Sequence, residues 1–252
     1  MAIGTRSYAN PYLSNQGRLP QGIKWLIIIN TAVWLVCFFS RDIASFLLEY
    51  FALTPVRVMH GWVWQPVTYM FLHDPGSVFH ILFNMLALWM FGAELERIWG
   101  TRYFLKFYFV TGVGAGLLTV LVSLLPFVFT RQLFGAAIIG ASGAIYGLLL
   151  AYGMYFPDRP IYIFGVFPIP AKTLVMILGA IALYASLSQA GGTANATHLG
   201  GLLVGYLYLK SGRAHPLAEL KYRYLKWKIN RVRKKFDVYS GGRADDFDRR
   251  VH

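Results

Sequence analysis

Apolar runs separated by short polar, glycine-rich or proline-rich stretches dominate the chain. Six of them read as helices packed in a membrane. They cover residues 22–40, 78–94, 103–125, 141–156, 170–188 and 197–210. The fourth and sixth fall short of the roughly 20 residues of a full span, and both carry polar side chains. That combination reads as helices that begin inside the bilayer and face protein or water instead of lipid. The pattern predicts an all-α polytopic membrane protein. No internal repeat, low-complexity tract or convincing strand stands out.

The connections differ in character. Residues 1–21 are polar and lack an apolar core, so they read as a retained cytosolic leader and not as a cleaved signal. Residues 41–77 form a long, partly aromatic loop with Phe46, Tyr50, Phe51, Trp62 and Trp64. An interfacial structure partly sunk among headgroups is the expectation there. Residues 126–140 are apolar except for Arg131 and Gln132, and 157–170 are rich in proline and aromatics. Residues 189–196 are small and uncharged. Residues 217–236 interleave Leu, Tyr and Trp with Lys and Arg, as in a basic helix lying on the inner leaflet. The division predicted is a leader (1–21), a membrane domain (22–210) and a basic tail (211–252), amphipathic and then disordered.

Composition agrees with this class. Of 252 residues, 14% are charged, against about a quarter in a soluble domain. The net charge of +13 does not point to nucleic acid, because the excess follows Lys210, beside the last apolar run. Basic residues there read as topology signals and contacts with anionic lipid. With the N-terminus inside, Arg41, Arg57 and Arg131 are the only basic residues left outside. Both termini are then cytoplasmic. The single cysteine, Cys37, cannot form an internal disulfide and says nothing of compartment.

Polar groups inside the apolar runs carry the chemistry. Ser142 stands in Gly140-Ala141-Ser142-Gly143 at the entry to the fourth run. Alone it reads as a packing serine. Gly143 and Gly147 line the adjoining face, which lets a neighbouring helix approach closely. In the sixth run His198, Gly201 and Gly205 share a face. If these glycine faces pack, Ser142 and His198 meet as nucleophile and general base. No carboxylate is placed to complete a triad, and Tyr146, one turn on from Ser142, can orient the imidazole by stacking. His80 and Asn84, one turn apart in the second run, can donate to an oxyanion together with the Ser142 N–H. His60, His73, His215 and His252 read as loop or tail histidines. No metal-binding pattern is present, and no cofactor is expected.

These residues resemble the rhomboid intramembrane serine proteases. The shared motifs are Gly140-x-Ser142-Gly143, His80-x-x-x-Asn84 and His198-x-x-Gly201-x-x-x-Gly205, continued by Gly92, Glu96 and Gly100. Tyr146 matches the tyrosine that stacks on the histidine, and Asn195 matches a small polar position near the site. The resemblance implies a six-transmembrane-helix bundle with a partly submerged first outer loop. It also implies a water-reached site below the outer surface, and single-pass membrane proteins as substrates. They would enter between the second and fifth runs and be cut near a small residue, with the fifth run and the loop after it as gate and cap. The setting expected is a bacterial inner membrane. Two positions depart from the pattern. Gln65 follows Trp64 where many members have arginine, and Thr197 stands before His198 where alanine is frequent. The alternatives are a non-catalytic rhomboid-like protein that binds transmembrane helices and, less well supported, a small transporter.

Overall fold

Each of the six apolar runs is helical in the computed structural model, which describes residues 19–163, 165–188 and 194–213. Three helical stretches are long and apolar enough to cross a membrane: α1 (Gln21–Phe39), the continuous run Val78–Trp99, and Thr101–Ser123. The chain divides into two units, Met1–Leu209 and Lys210–His252. The expected leader up to residue 18 and the basic helix at 217–236 lie outside the described residues.

The first connection is built from short helices. α2 (Arg41–Phe51) is capped by the Ser40 hydroxyl, which accepts from Ile43 N–H. α3 (Pro55–Met59) and α4 (Gln65–Thr68) each start with proline in the first turn, where its missing N–H costs nothing. A 3₁₀ turn, Tyr69–Phe71, follows. Tyr50, Trp62 and Trp64 stack in series, and Arg57 lies over the Trp62 ring.

The second run is α5 (Val78–Ala87), a π-helical turn (Leu88–Gly92) and α6 (Ala93–Trp99), so it extends five residues beyond the stretch expected from the sequence. Gly92 in the π turn lies against α1, where a Cβ would strike the Ile23 side chain. The third run is α7 (Thr101–Ser123). α8 (Val128–Gly135) interrupts the following loop. α9 (Ser142–Tyr155), α10 (Ala171–Ser188) and α11 (Ala194–Arg213) complete the bundle. α11 starts three residues before the expected position, which puts Asn195 in a first helical turn and not in a loop.

One expectation is corrected. Residues 157–170 hold an antiparallel hairpin, β1 (Pro160–Ile163) with β2 (Phe167–Pro170). No strand is expected from the sequence there, yet three of the four prolines, Pro160, Pro168 and Pro170, sit in a two-stranded ribbon in which each strand has one strand neighbour among the described residues. Proline is tolerated on an edge. Gly165, at φ +72°, lies in the turn.

At the end of the bundle away from Ser142, Glu96 is 2% exposed and accepts from the Gly22 and Ile23 N–H groups, both at 2.8 Å, and from the Thr101 hydroxyl. It satisfies the N–H groups that open α1 with a negative charge, where the helix dipole favours one. Charge-assisted bonds of this kind contribute about 1.5–3 kcal/mol. Glu96→Ala should lower the thermal midpoint in detergent by several degrees. An unchanged midpoint would remove Glu96 from the set of fold determinants. Nearby, Glu94, Tyr152 and Arg159 form a joined cluster that ties α6 and α9 to the residues preceding β1.

Candidate active site

α9 begins where three backbone hydrogen bonds hold the incoming chain. Ile138 exchanges two with Leu53, and Gly140 N–H donates to the Tyr69 carbonyl at 3.0 Å. Gly140 has φ +116°, and a Cβ there would sit 3.0 Å from His80 Nε2. Both the backbone and the space therefore require glycine at this position. The turn delivers Ser142 as the first residue of α9, where a helix leaves its N–H groups without intrahelical acceptors.

Close backbone approach brings the partner. A Cβ on Gly201 would overlap the Gly143 carbonyl oxygen, and one on Gly205 would lie 3.1 Å from the Gly147 Cα. α9 and α11 thus meet backbone to backbone along the two glycine faces. Gly143 and Gly147 also abut α7, facing Ala115 and Thr111. This packing sets Ser142 Oγ 2.8 Å from His198 Nε2. The Tyr146 ring lies over the His198 imidazole at a centroid distance of 4.2 Å and an interplanar angle of 4°. His198 Nδ1 is buried and meets no hydrogen-bond partner among the described residues. The imidazole is held by an aromatic ring across its face, and among the described residues no carboxylate meets Nδ1.

His80 comes to the same place from α5, with Asn84 one turn further along that helix. The Asp74 N–H donates to His80 Nδ1 at 3.1 Å. A backbone N–H can meet only an unprotonated ring nitrogen, so the neutral ring carries its hydrogen on Nε2. That Nε2 and Ser142 Oγ flank one point above Gly140, 3.0 and 3.7 Å from the position a Cβ would take. Asn84 Nδ2 donates to the His80 carbonyl at 2.7 Å, which leaves its second N–H for another acceptor. Asn195 lies on the same helix as His198, one turn before it.

His73 belongs to this group, although its place in a loop had marked it as unremarkable. It is 1% exposed, and its ring centroid is 5.2 Å from that of His80. Among the described residues neither of its nitrogens has a partner at hydrogen-bond geometry, a backbone contact at Phe71 falling short of it. Burial, with a smaller contribution from His80, pushes the His73 pKa down to about 3. A signal was present in Asp74-Pro75-Gly76-Ser77, a turn sequence. It folds residue 73 back on the start of α5.

Both departures from the expected motifs have structural accounts. Gln65 is fully buried. Its Oε1 accepts from Thr54 N–H at 3.0 Å and its Nε2 donates to the Tyr50 carbonyl at 3.3 Å, so it braces the first connection. The Thr197 hydroxyl bonds Thr119 Oγ1 on α7 at 2.9 Å and so does not engage the imidazole. Thr197→Ala should cost about 1 kcal/mol of stability and leave the reactivity of Ser142 within twofold of wild type. A larger loss of reactivity at unchanged stability would show that the hydroxyl acts on His198 after all.

Among the described residues no group of His, Cys, Asp and Glu could hold a metal ion. The chain matches the Rhomboid domain over residues 60–213. It is 34% identical over 131 residues to "Rhomboid protein 1, mitochondrial" of Saccharomyces cerevisiae, covering 51% of this chain and 36% of the relative. It is 29% identical over 153 residues to "Rhomboid protease AarA" of Providencia stuartii, covering 57% and 54%. With "Rhomboid protease GlpG" of Yersinia pestis it shares 28% identity over 206 residues, covering 80% and 65%. The matched stretch thus spans between about a third and two thirds of these relatives' lengths. The match takes in all three sequence motifs and the helices that bring them together, and on that ground the chain is an integral membrane protein that belongs to the rhomboid family.

Proposed function

We propose that the chain is an intramembrane serine endopeptidase working with a Ser142–His198 dyad. The observation that carries this reading is the 2.8 Å contact between Ser142 Oγ and His198 Nε2, with Tyr146 stacked on the imidazole. Ser142 Oγ attacks the scissile carbonyl carbon and its proton passes to His198 Nε2. The oxyanion accepts from His80 Nε2–H, the second N–H of Asn84 and the Ser142 N–H. His198 then protonates the leaving amine. A water deprotonated by the same imidazole hydrolyses the acyl-enzyme and returns the proton.

Substrate and setting rest on the family. Two of the relatives are named as proteases, and single-pass membrane proteins are the substrate class proposed. Six spans with both termini cytoplasmic account for the distribution of Arg and Lys. A bacterial inner membrane is the proposed location, with the dyad below its outer surface. The aromatic stack of the first connection then lies at headgroup level. Exposed Phe79 and Phe83 on α5, with Ile181 and Tyr184 on α10, offer apolar faces past which a substrate helix enters the site. Residues 210–235 supply the positive charge for anionic lipid of the inner leaflet.

The test is incubation of the full chain in detergent with a serine-directed fluorophosphonate, alongside cleavage of a single-pass substrate in vesicles. Labelling at Ser142 and one internal cut are expected. Well-folded protein that binds the membrane segment and neither labels nor cuts would transfer the reading to a non-catalytic rhomboid-like binder.

A further inference from the structure

We infer that Trp34 of α1 is a positioning residue for the oxyanion donor, holding His80 in its Nε2–H tautomer through the backbone of Asp74. The inference rests on the protease reading for its kinetic readout and on hydrogen-bond geometry for the rest. The Trp34 indole N–H donates to the Asp74 carbonyl at 3.0 Å. The Asp74 N–H donates to His80 Nδ1 at 3.1 Å. His80 Nε2 faces the space above Gly140 beside Ser142 Oγ. Three groups from three parts of the chain are thus linked in series, with an α1 side chain at one end and the oxyanion position at the other.

The turn between them has few other restraints. The Asp74 carboxylate accepts from Gly76 N–H at 2.8 Å, and the Asp74 carbonyl also accepts from Ser77 N–H at 3.2 Å. Both bonds are internal to the turn; its far end is fixed to α5 by the His80 N–H bond to the Ser77 carbonyl at 3.1 Å, while its Asp74 end takes no tie from another element in these bonds. Trp34 supplies a tie from outside, and with 9% exposure its N–H bond is largely shielded from solvent. His73 packs on the His80 ring and limits its tilt, but its contact does not choose between tautomers. That choice falls to the Asp74 N–H. If the turn drifts and Nδ1 loses its donor, the hydrogen can move to Nδ1. Nε2 then presents a lone pair to the developing oxyanion, which opposes the negative charge. Packing alone would be served by phenylalanine at position 34, since the ring stacks on Phe38 at 5.1 Å. The indole N–H is the part that packing does not require.

The experiment uses the full chain in detergent, with Trp34→Phe and with Trp34 replaced by benzothienylalanine, which keeps the fused ring and lacks the N–H. Trp25→Phe, a change at an exposed tryptophan of the same helix, serves as control. Two quantities are read: the rate of fluorophosphonate labelling at Ser142, and the His80 tautomer from ¹⁵N shifts of histidine-labelled protein. Loss of one well-formed hydrogen bond in the series should slow labelling roughly three- to tenfold. In a His80→Ala background the same replacements should change the rate less than twofold, because the group they act through is gone. The wild-type shifts should report hydrogen on Nε2, and both replacements should reduce that population. Equal slowing in both backgrounds, or no slowing, overturns the inference and makes Trp34 a packing residue. A wild-type protein that does not label sinks the protease reading instead. The ¹⁵N shifts then decide the relay by themselves, an unchanged tautomer overturning it and a changed one supporting it.

Discussion

Ser142→Ala and His198→Ala should each reduce cleavage of a reconstituted single-pass substrate to background, at least about a 10³-fold loss. The size follows from the absence of a substitute for either group. Among the described residues no carboxylate meets His198 Nδ1, and neither of the other histidines beside the site offers a free ring nitrogen to Ser142 in its place. His80 meets Ser142 across the space above Gly140, with its Nδ1 occupied by the Asp74 N–H. His73 is buried behind His80. Neither can take the Ser142 proton from the position His198 holds. The two residues act as one unit, so the double variant should be no slower than either single variant. Stability should fall by only about 1 kcal/mol in Ser142→Ala, because the one contact the hydroxyl makes between helices is its bond to His198. Cleavage that survives in either variant at more than a few per cent of wild type would end the dyad assignment. Unfolding scans in the same detergent separate that result from loss of fold.

The second large effect belongs to a residue with no chemistry of its own. Gly201→Ala should reduce cleavage by roughly 100-fold or more while the protein remains folded. The added methyl would overlap the Gly143 carbonyl oxygen on α9. A backbone atom cannot rotate away as a side-chain tip can, so α11 must shift from α9, at a typical overpacking cost of about 1–3 kcal/mol. His198 is three residues earlier on the same helix, and moves with it. A displacement of about 1 Å between nucleophile and base costs on the order of 100-fold. The comparison that tests this is Gly205→Ala, where the nearest atom to the added Cβ is the Gly147 Cα at 3.1 Å. It should cost less activity, being looser and two turns from the base. Equal losses at the two positions would mean that α11 is only destabilised as a whole and that the spacing at Gly201 does not set the dyad distance.

Most of the site was legible because its residues are anomalous where they stand. Ser142, His198, His80 and Asn84 are polar groups in apolar runs, and the cost of leaving such groups unpaired in hydrocarbon makes each a marker. The glycines at i+3 and i+7 from His198 could be read as a packing face because helical periodicity alone puts them on one side. His73 was harder to read. It lies outside any apolar run, and the turn sequence after it shows that the chain reverses there but not that the imidazole is buried. Nor could the sequence say what Thr197 or Gln65 would do. A hydroxyl beside a histidine can turn either way, and only the placement of Thr119 on α7 draws this one aside. The hairpin 160–170 was missed for a related reason. Its prolines forbid an interior strand and leave an edge strand open, and which applies depends on how many neighbours the strand has.

The sequence by itself determined the class of molecule and the six helical runs, and it singled out the polar residues proposed to react. Burial in a membrane imposes a composition, and a helix imposes a period, and both are local properties of the chain. The tertiary structure decided distance and proton placement. The 2.8 Å between Ser142 and His198 is set by the contact of two helices whose first residues lie more than fifty positions apart. The hydrogen on His80 Nε2 is set by a backbone N–H in a turn that folds back over α5. Neither quantity is encoded in any one segment, because each is the joint result of surfaces that meet only once the chain has folded.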